Sequence, residues 1–134
     1  MRYDNLKSKA HCVFFLCYHI IWVTKFRYKC LDQNILQDIV STLPKMAEDM
    51  QVKITEINGE SDHIHFILEL SPQDTLGSVI GALKSKSSSY LKSKYKFPYW
   101  GKHLRTLWSS GYFAVSTGGA PLDVIKMYIQ NQKS

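Results

Sequence analysis

Hydrophobic positions along this chain switch between two periods, and the switches mark its elements. From about Cys12 to Lys25 the chain is rich in Val, Phe, Ile, Trp and Thr, which predicts one long strand. From about Asp32, the residues Ile35, Leu36, Ile39, Val40, Leu43, Met46 and Met50 recur at helical spacing. Pro44 inside that stretch predicts a kink or a break near Leu43. Val52 to Ile57 alternates as a strand, and Asn58-Gly59 is a hairpin signal. His63 to Leu70 then returns antiparallel. Ser71 to Thr75 reads as a turn ending in a helix N-cap. Leu76, Val79, Ile80, Leu83, Ser87, Tyr90 and Leu91 form the inner stripe of a second helix that stops before Pro98. A further strand is expected around Leu107 to Ser116, centred on Tyr112 to Val115. Gly118-Gly119 breaks the chain, and Pro121 opens a final helix through Val124, Ile125, Tyr128 and Ile129.

The order is β-α-β-β-α-β plus a terminal helix. This predicts an α+β fold, the ferredoxin-like or RRM-like four-stranded antiparallel sheet with helices on one face. At 134 residues the chain holds one domain, residues 1–134, with its terminal helix at about 121–134 after the Gly118-Gly119 joint.

Alternation also sorts the chemistry. Side chains on a strand point to opposite faces in turn. Ile64, Phe66, Leu68 and Leu70 therefore face the core, and His63 and His65 share the other, open face. Two imidazoles two residues apart on a rigid strand make half of a metal site. Asp62 beside them reads as an orienting partner for a histidine or as a turn residue.

Composition changes the picture at one point. Hydrophobic content is 45% and charged content 21%, ordinary for a soluble domain. The longest apolar run, Val13 to Val23, is too short to span a bilayer and contains Tyr18 and His19. The first residues lack a signal-peptide core, so a cytoplasmic location is expected. Cys12, Cys17 and Cys30 have neither disulfide-framework nor zinc spacing. The net charge is +6, but from Thr75 through Leu122 no Asp or Glu occurs, while Lys84, Lys86, Lys92, Lys94, Lys96, Lys102 and Arg105 do. That stretch is interleaved with Tyr90, Tyr95, Tyr99, Trp100 and Trp108, which suits a polyanion with stackable bases. Lys84, Lys86, Lys92 and Arg105 are the candidate DNA contacts, with Lys25 and Arg27 as weaker ones. His19 and His103 read as DNA contacts or as structural groups.

Tyr128 and Gln132 lie four residues apart, on one face of the expected last helix. Packed over the open sheet face, that helix would bring both groups to His63 and His65. Gln132 offers an amide oxygen, a hard donor suited to Mg²⁺ or Mn²⁺. Tyr128 offers a phenol, a covalent nucleophile on that reading; spacing alone favours the plainer one, with Tyr128 a half-buried aromatic staple and Gln132 a solvated terminal residue.

Five segments in this order resemble one family. Tyr18-His19-Ile20-Ile21-Trp22-Val23-Thr24-Lys25-Phe26-Arg27 looks like its first strand, and Asp62-His63-Ile64-His65 its His-hydrophobic-His (HUH) motif. Leu83 to Ser89 resembles its basic helix, Leu107 to Phe113 its fourth strand, and Tyr128-Ile129-Gln130-Asn131-Gln132 its tyrosine helix. The family is that of the single-tyrosine HUH transposases of small prokaryotic insertion sequences. The resemblance implies a Mg²⁺- or Mn²⁺-dependent transposase that cuts and rejoins single-stranded DNA at hairpin-marked element ends. It implies His63, His65 and Gln132 as metal ligands and Tyr128 as the nucleophile of a 5′-phosphotyrosine intermediate. It also implies a homodimer in which one subunit's tyrosine helix completes its partner's site. A base for Tyr128 is not named by the sequence; Lys126 and a metal-bound water are candidates. Two other readings compete: a non-catalytic RRM-like nucleic-acid-binding module, and a related HUH endonuclease such as a replication initiator or a domesticated repeat-processing enzyme.

Overall fold

A computed structural model of the chain describes residues 7–9, 12–97 and 106–116. The elements, in order, are strands β1 (Lys7–Lys9), β2 (Cys12–Phe14) and β3 (Leu16–Val23), helix α1 (Gln33–Asp49), strands β4 (Lys53–Glu60) and β5 (His63–Leu70), helix α2 (Leu76–Lys94) and strand β6 (Phe113–Ser116). Four strands form one sheet in the order β4-β5-β3-β6, with every neighbour antiparallel. This is the expected ferredoxin-like arrangement, in which β5 inserts between β3 and β4. The expected terminal helix, the Gly118-Gly119 joint, Tyr128 and Gln132 lie outside the described residues.

The first strand is shorter than its composition predicts. Leu16 pairs with Leu70, the last residue of β5. Residues before Leu16 run past the end of their partner, and β2 pairs instead with β1 in a separate hairpin. At the other end the sheet gives way to a 3-10 turn over Lys25–Arg27.

The Asn58-Gly59 signal also resolves differently. Both residues are paired within β4, Asn58 opposite His65 and Gly59 opposite Ile64, and the chain turns at Ser61 and Asp62. Glycine is needed at 59 for close approach, not for the turn. A Cβ there would lie 2.6 Å from the His63 carbonyl oxygen and 2.8 Å from the Ile64 Cγ2.

Helix α1 starts where the Asp32 carboxylate accepts the Ile35 amide at 2.9 Å. It buries Ile35, Ile39, Leu43 and Ala47 and runs on through Pro44 without the expected break. Pro44 lacks the amide that would reach the Val40 carbonyl, and Val40 is exposed, so water can satisfy that oxygen. Helix α2 buries Val79, Ile80, Leu83 and Leu91, and also Ser87 and Ser88. Both helices cover the face formed by Ile20, Trp22, Ile64, Phe66, Leu68 and Leu70, which completes one core.

The two helices are also tied by a buried carboxylate. Asp38 accepts hydrogen bonds from the hydroxyls of Tyr90 at 2.9 Å and Tyr95 at 2.7 Å, and pairs with the Lys94 ammonium at 2.8 Å. Burial alone would raise its pKa, but the bonds from Lys94, Tyr95 and Tyr90 outweigh it and hold the carboxyl below its ordinary range. Asp38→Ala should therefore cost about 2 kcal/mol in a urea titration at neutral pH. Because the folded-state pKa is the depressed one, the stability Asp38 contributes is full above the unfolded value near 3.8 and is lost as pH falls through the lower folded value. The gap between wild type and Asp38→Ala should narrow over that window.

Candidate functional site

Strand β5 lies inside the sheet with neighbours on both edges, so its side chains are fixed in direction. The alternation holds: Ile64, Phe66, Leu68 and Leu70 enter the core, and His63 and His65 stand on the opposite face. Their ring centres are 6.3 Å apart and their planes differ by 28°. That face is not open, as the pattern had suggested. His63 is 2% exposed, and Ile21 and His19 on the neighbouring strand are 3% and 6% exposed. His65 is half-buried.

Asp62 settles its two readings in favour of both. It sits in the β4–β5 turn, and its Oδ1 accepts the His63 Nδ1 proton at 2.9 Å. Its Oδ2 pairs with the Arg27 guanidinium at 3.3 Å. Burial would raise the Asp62 pKa, but the His63 bond and the Arg27 charge win and keep it ionised. With Nδ1–H held by a carboxylate, the His63 lone pair is on Nε2, the tautomer that a metal ligand needs. The link to Arg27 is not legible in the sequence, because the partners are 35 residues apart.

A third imidazole extends the row. His19 stacks on His65, with centres 5.7 Å apart and planes 17° from parallel. Among the described residues neither of its ring nitrogens has a hydrogen-bond partner. Burial, with His65 beside it, pushes its pKa down to about 4, so this ring is neutral at neutral pH. Burial and the adjacent His63 also lower His65. Neutral imidazoles are the form that ligates.

Two histidines and an orienting carboxylate fit a divalent metal in chemistry and tautomer, but they do not complete a site. Among the described residues no three His, Cys, Asp or Glu side chains converge closely enough to hold an ion. A third donor would have to come from elsewhere, and Gln132, the expected one, lies outside the described residues.

The basic segment divides. Lys84 donates to the carbonyls of Ser109 at 2.7 Å and Gly111 at 2.6 Å, between the rings of Trp22 and Tyr112. Burial pushes its pKa down to about 8. It therefore braces the approach to β6 from inside, while Lys86 is exposed. Lys84 and Lys92 border one groove along α2, with the hydroxyls of Ser85, Ser89, Ser93 and Thr106 between them. Arg105 and His103 lie outside the described residues. The serine-rich run hides two structural roles: Ser88 accepts the Leu107 amide at 2.8 Å, and Ser87 accepts the Trp108 indole N–H at 2.9 Å. Ser87 lies on the predicted inner stripe; Ser88, next to it, carries no periodic signal.

A ferredoxin-like sheet whose inserted strand shows two histidines, one fixed by an adjoining aspartate, defines an HUH domain. Comparison with known proteins makes the assignment specific. The family described as "Transposase IS200 like" matches residues 12–132. The chain is 35% identical over 129 residues to the transposase for insertion sequence element IS200 of Salmonella typhimurium, covering 94% of this chain and 82% of that protein. It is 26% identical over 131 residues to the ISDra2 transposase TnpA of Deinococcus radiodurans, covering 96% and 91%. A crystal structure of a transposase from Deinococcus radiodurans superposes with a TM-score of 0.78 at 27% identity, covering 94% of this chain and 97% of that one. The REP-associated tyrosine transposase bound to a REP hairpin shares the fold, with a TM-score of 0.55 at 12% identity, covering 91% and 68%. The chain belongs to the IS200-like transposase family. No helix among the described residues is long and apolar enough to cross a membrane.

Proposed function

We propose that this transposase cuts and rejoins single-stranded DNA at hairpin-marked ends of an insertion sequence through a 5′-phosphotyrosine on Tyr128. The observation that carries the reading is the pair His63 and His65 on one face of β5, with the His63 Nδ1 proton held by Asp62. His63, His65 and the amide oxygen of Gln132 are the proposed ligands of Mg²⁺ or Mn²⁺. When bound, such an ion would draw charge from the non-bridging phosphate oxygens.

The chain's own residues do the rest. Asp62 and Arg27 lock the His63 ring. The phenol oxygen of Tyr128 attacks phosphorus in line, the bond to the 3′ oxygen breaks, and that oxygen leaves as a 3′-OH. A phenol has a pKa near 10 in water, so its proton must pass to a base during attack; Lys126, two residues earlier, is the candidate from this chain. A second DNA 3′-OH then attacks the phosphotyrosine and restores a phosphodiester, so no nucleotide is hydrolysed. Exposed Lys86 and the groove bordered by Lys92 would hold the DNA backbone, with Arg105. A homodimer, with Tyr128 acting on its own or its partner's histidines, is part of the same reading.

The test is covalent capture. The protein is incubated with Mg²⁺ and single-stranded oligonucleotides tiled across the DNA flanking its gene, then run on a denaturing gel. Wild type should give a protein–DNA adduct and Tyr128→Phe none. An adduct of equal yield from Tyr128→Phe would place the nucleophile elsewhere. Binding without any adduct from wild type would make the chain a nucleic-acid-binding module instead.

A further inference from the structure

The turn that carries Arg27 holds a feature the reaction does not absorb. Phe26 is 67% exposed, the most exposed large hydrophobic side chain among the described residues. It is also held in an unfavourable backbone: Phe26 and Arg27 both have φ of 56°. Positive φ is uncommon for any residue with a Cβ and rarer still for a bulky one. A strained aromatic on a solvent face gains nothing from burial, so something else keeps it there.

The turn is rigid. The Lys25 amide bonds the Leu107 carbonyl at 2.9 Å, the Thr24 amide bonds the Asp62 carbonyl at 3.0 Å, and the Thr24 hydroxyl bonds the Tyr28 carbonyl at 2.7 Å. Arg27 is paired to Asp62, which holds His63. The turn is thus bonded to the residue that orients His63. On it, Tyr28 meets the Phe26 ring edge-on at 5.7 Å, and the Lys25 ammonium lies 5.7 Å from the ring centre. Lys25, Arg27 and Lys29 give this short segment three cations and no acid.

We propose that Phe26 is a stacking platform for one unpaired nucleobase of the strand entering the histidine site, with Lys25 beside it for the adjoining phosphate. A largely exposed aromatic ring with the Lys25 ammonium 5.7 Å from its centre matches an unpaired nucleotide, which offers a flat ring and a negative phosphate together. A strained but rigid support presents that ring without a reorganisation step at binding. The proposal rests on the single-strand reading above and adds to it the residue that holds the strand next to the scissile site.

Full-length protein is mixed, in chelator, with mixed-sequence single-stranded oligonucleotides carrying 2-aminopurine at one position, walked along the strand. Wild type should quench the probe at one or two positions. Phe26→Ala should restore that fluorescence and weaken binding about tenfold, the size expected for losing one stacked base. Phe26→Trp should keep both. Phe26→Gly, which removes the backbone strain, should melt no lower than wild type yet lose the quenching, so that loss cannot be misfolding. Equal quenching and affinity in Phe26→Ala would overturn the platform while leaving the transposase reading intact. A halved mass by light scattering in Phe26→Ala, with quenching unchanged, would overturn it in favour of a contact between copies. Wild type that binds no single strand at all would overturn the parent reading and this one together.

Discussion

Replacing His63 by alanine is expected to lower single-strand cleavage by about a thousandfold and to leave hairpin binding within about threefold of wild type. The size follows from what the ring does in the proposed reaction. It is one of two described donors, and it alone is locked by a carboxylate, so its loss removes both a ligand and the tautomer that Asp62 fixes. Binding should survive, because in the proposed mode exposed Lys86 and the groove along α2 would grip the DNA from another part of the molecule. Gel shift with a hairpin oligonucleotide and cleavage of the same oligonucleotide in Mg²⁺ separate the two effects. His63 is 2% exposed, so circular dichroism must accompany the assay. His65→Ala serves as a second variant: that ring is only half-buried, so it should lose cleavage with less cost to folding. Equal loss of binding and cleavage in both variants would mean that the histidines serve the strand and not the chemistry.

Trp108→Ala is expected to destabilise the fold by about 4 kcal/mol, read as a lower urea midpoint. Trp108 is fully buried, its ring centre lies 5.2 Å from that of Trp22, and its N–H is bonded to Ser87. Its backbone bridges Thr24, and its neighbours Leu107 and Ser109 bond the backbone of Lys25 and Val23. Removing the ring therefore opens a large cavity and loosens the turn that holds Arg27 against Asp62. Ser87→Ala alone should cost about 1 kcal/mol, since it leaves the ring in place and orphans only its N–H. A double-mutant cycle of the two would isolate that bond from the packing around it.

Period carried most of the fold. The stripe on α1, the alternation of β5 and the stripe on α2 were each legible because burial on one side imposes a repeat on the sequence. The misreadings came where pairing, not burial, decides. Nothing in Cys12 to Val23 reveals that β5 ends opposite Leu16, so one strand was expected where two exist. Asn58-Gly59 looks like a turn because its usual use is a turn, whereas here the missing side chain at 59 makes room for the His63 backbone. Pro44 does not break α1, because the carbonyl it leaves unpaired belongs to exposed Val40 and can turn to water.

The site was legible in part for the same reason. His63 and His65 share a face by arithmetic. His19 joins them only through the β3–β5 register, which sets it diagonally from His65, opposite Ile67. Arg27 joins through a turn whose backbone no propensity scale would assign to it. Long-range partners of this kind leave no local mark on a sequence.

The direction of β6 bears on how far Tyr128 would have to reach in the proposed reaction. Phe113 lies opposite Ile21, which on its other side lies opposite His65, but Ser116 lies opposite Tyr18. The chain thus leaves the sheet moving away from the histidines, and His63 is five residues back along β3, opposite Val23, or about 17 Å at the usual strand rise. Residues 117 to 127 separate Ser116 from Tyr128, a contour of at most about 43 Å when fully extended and less where helical. On the proposed mechanism those residues are a tether of limited length that must double back, and the radius it allows governs which histidine pair Tyr128 can serve.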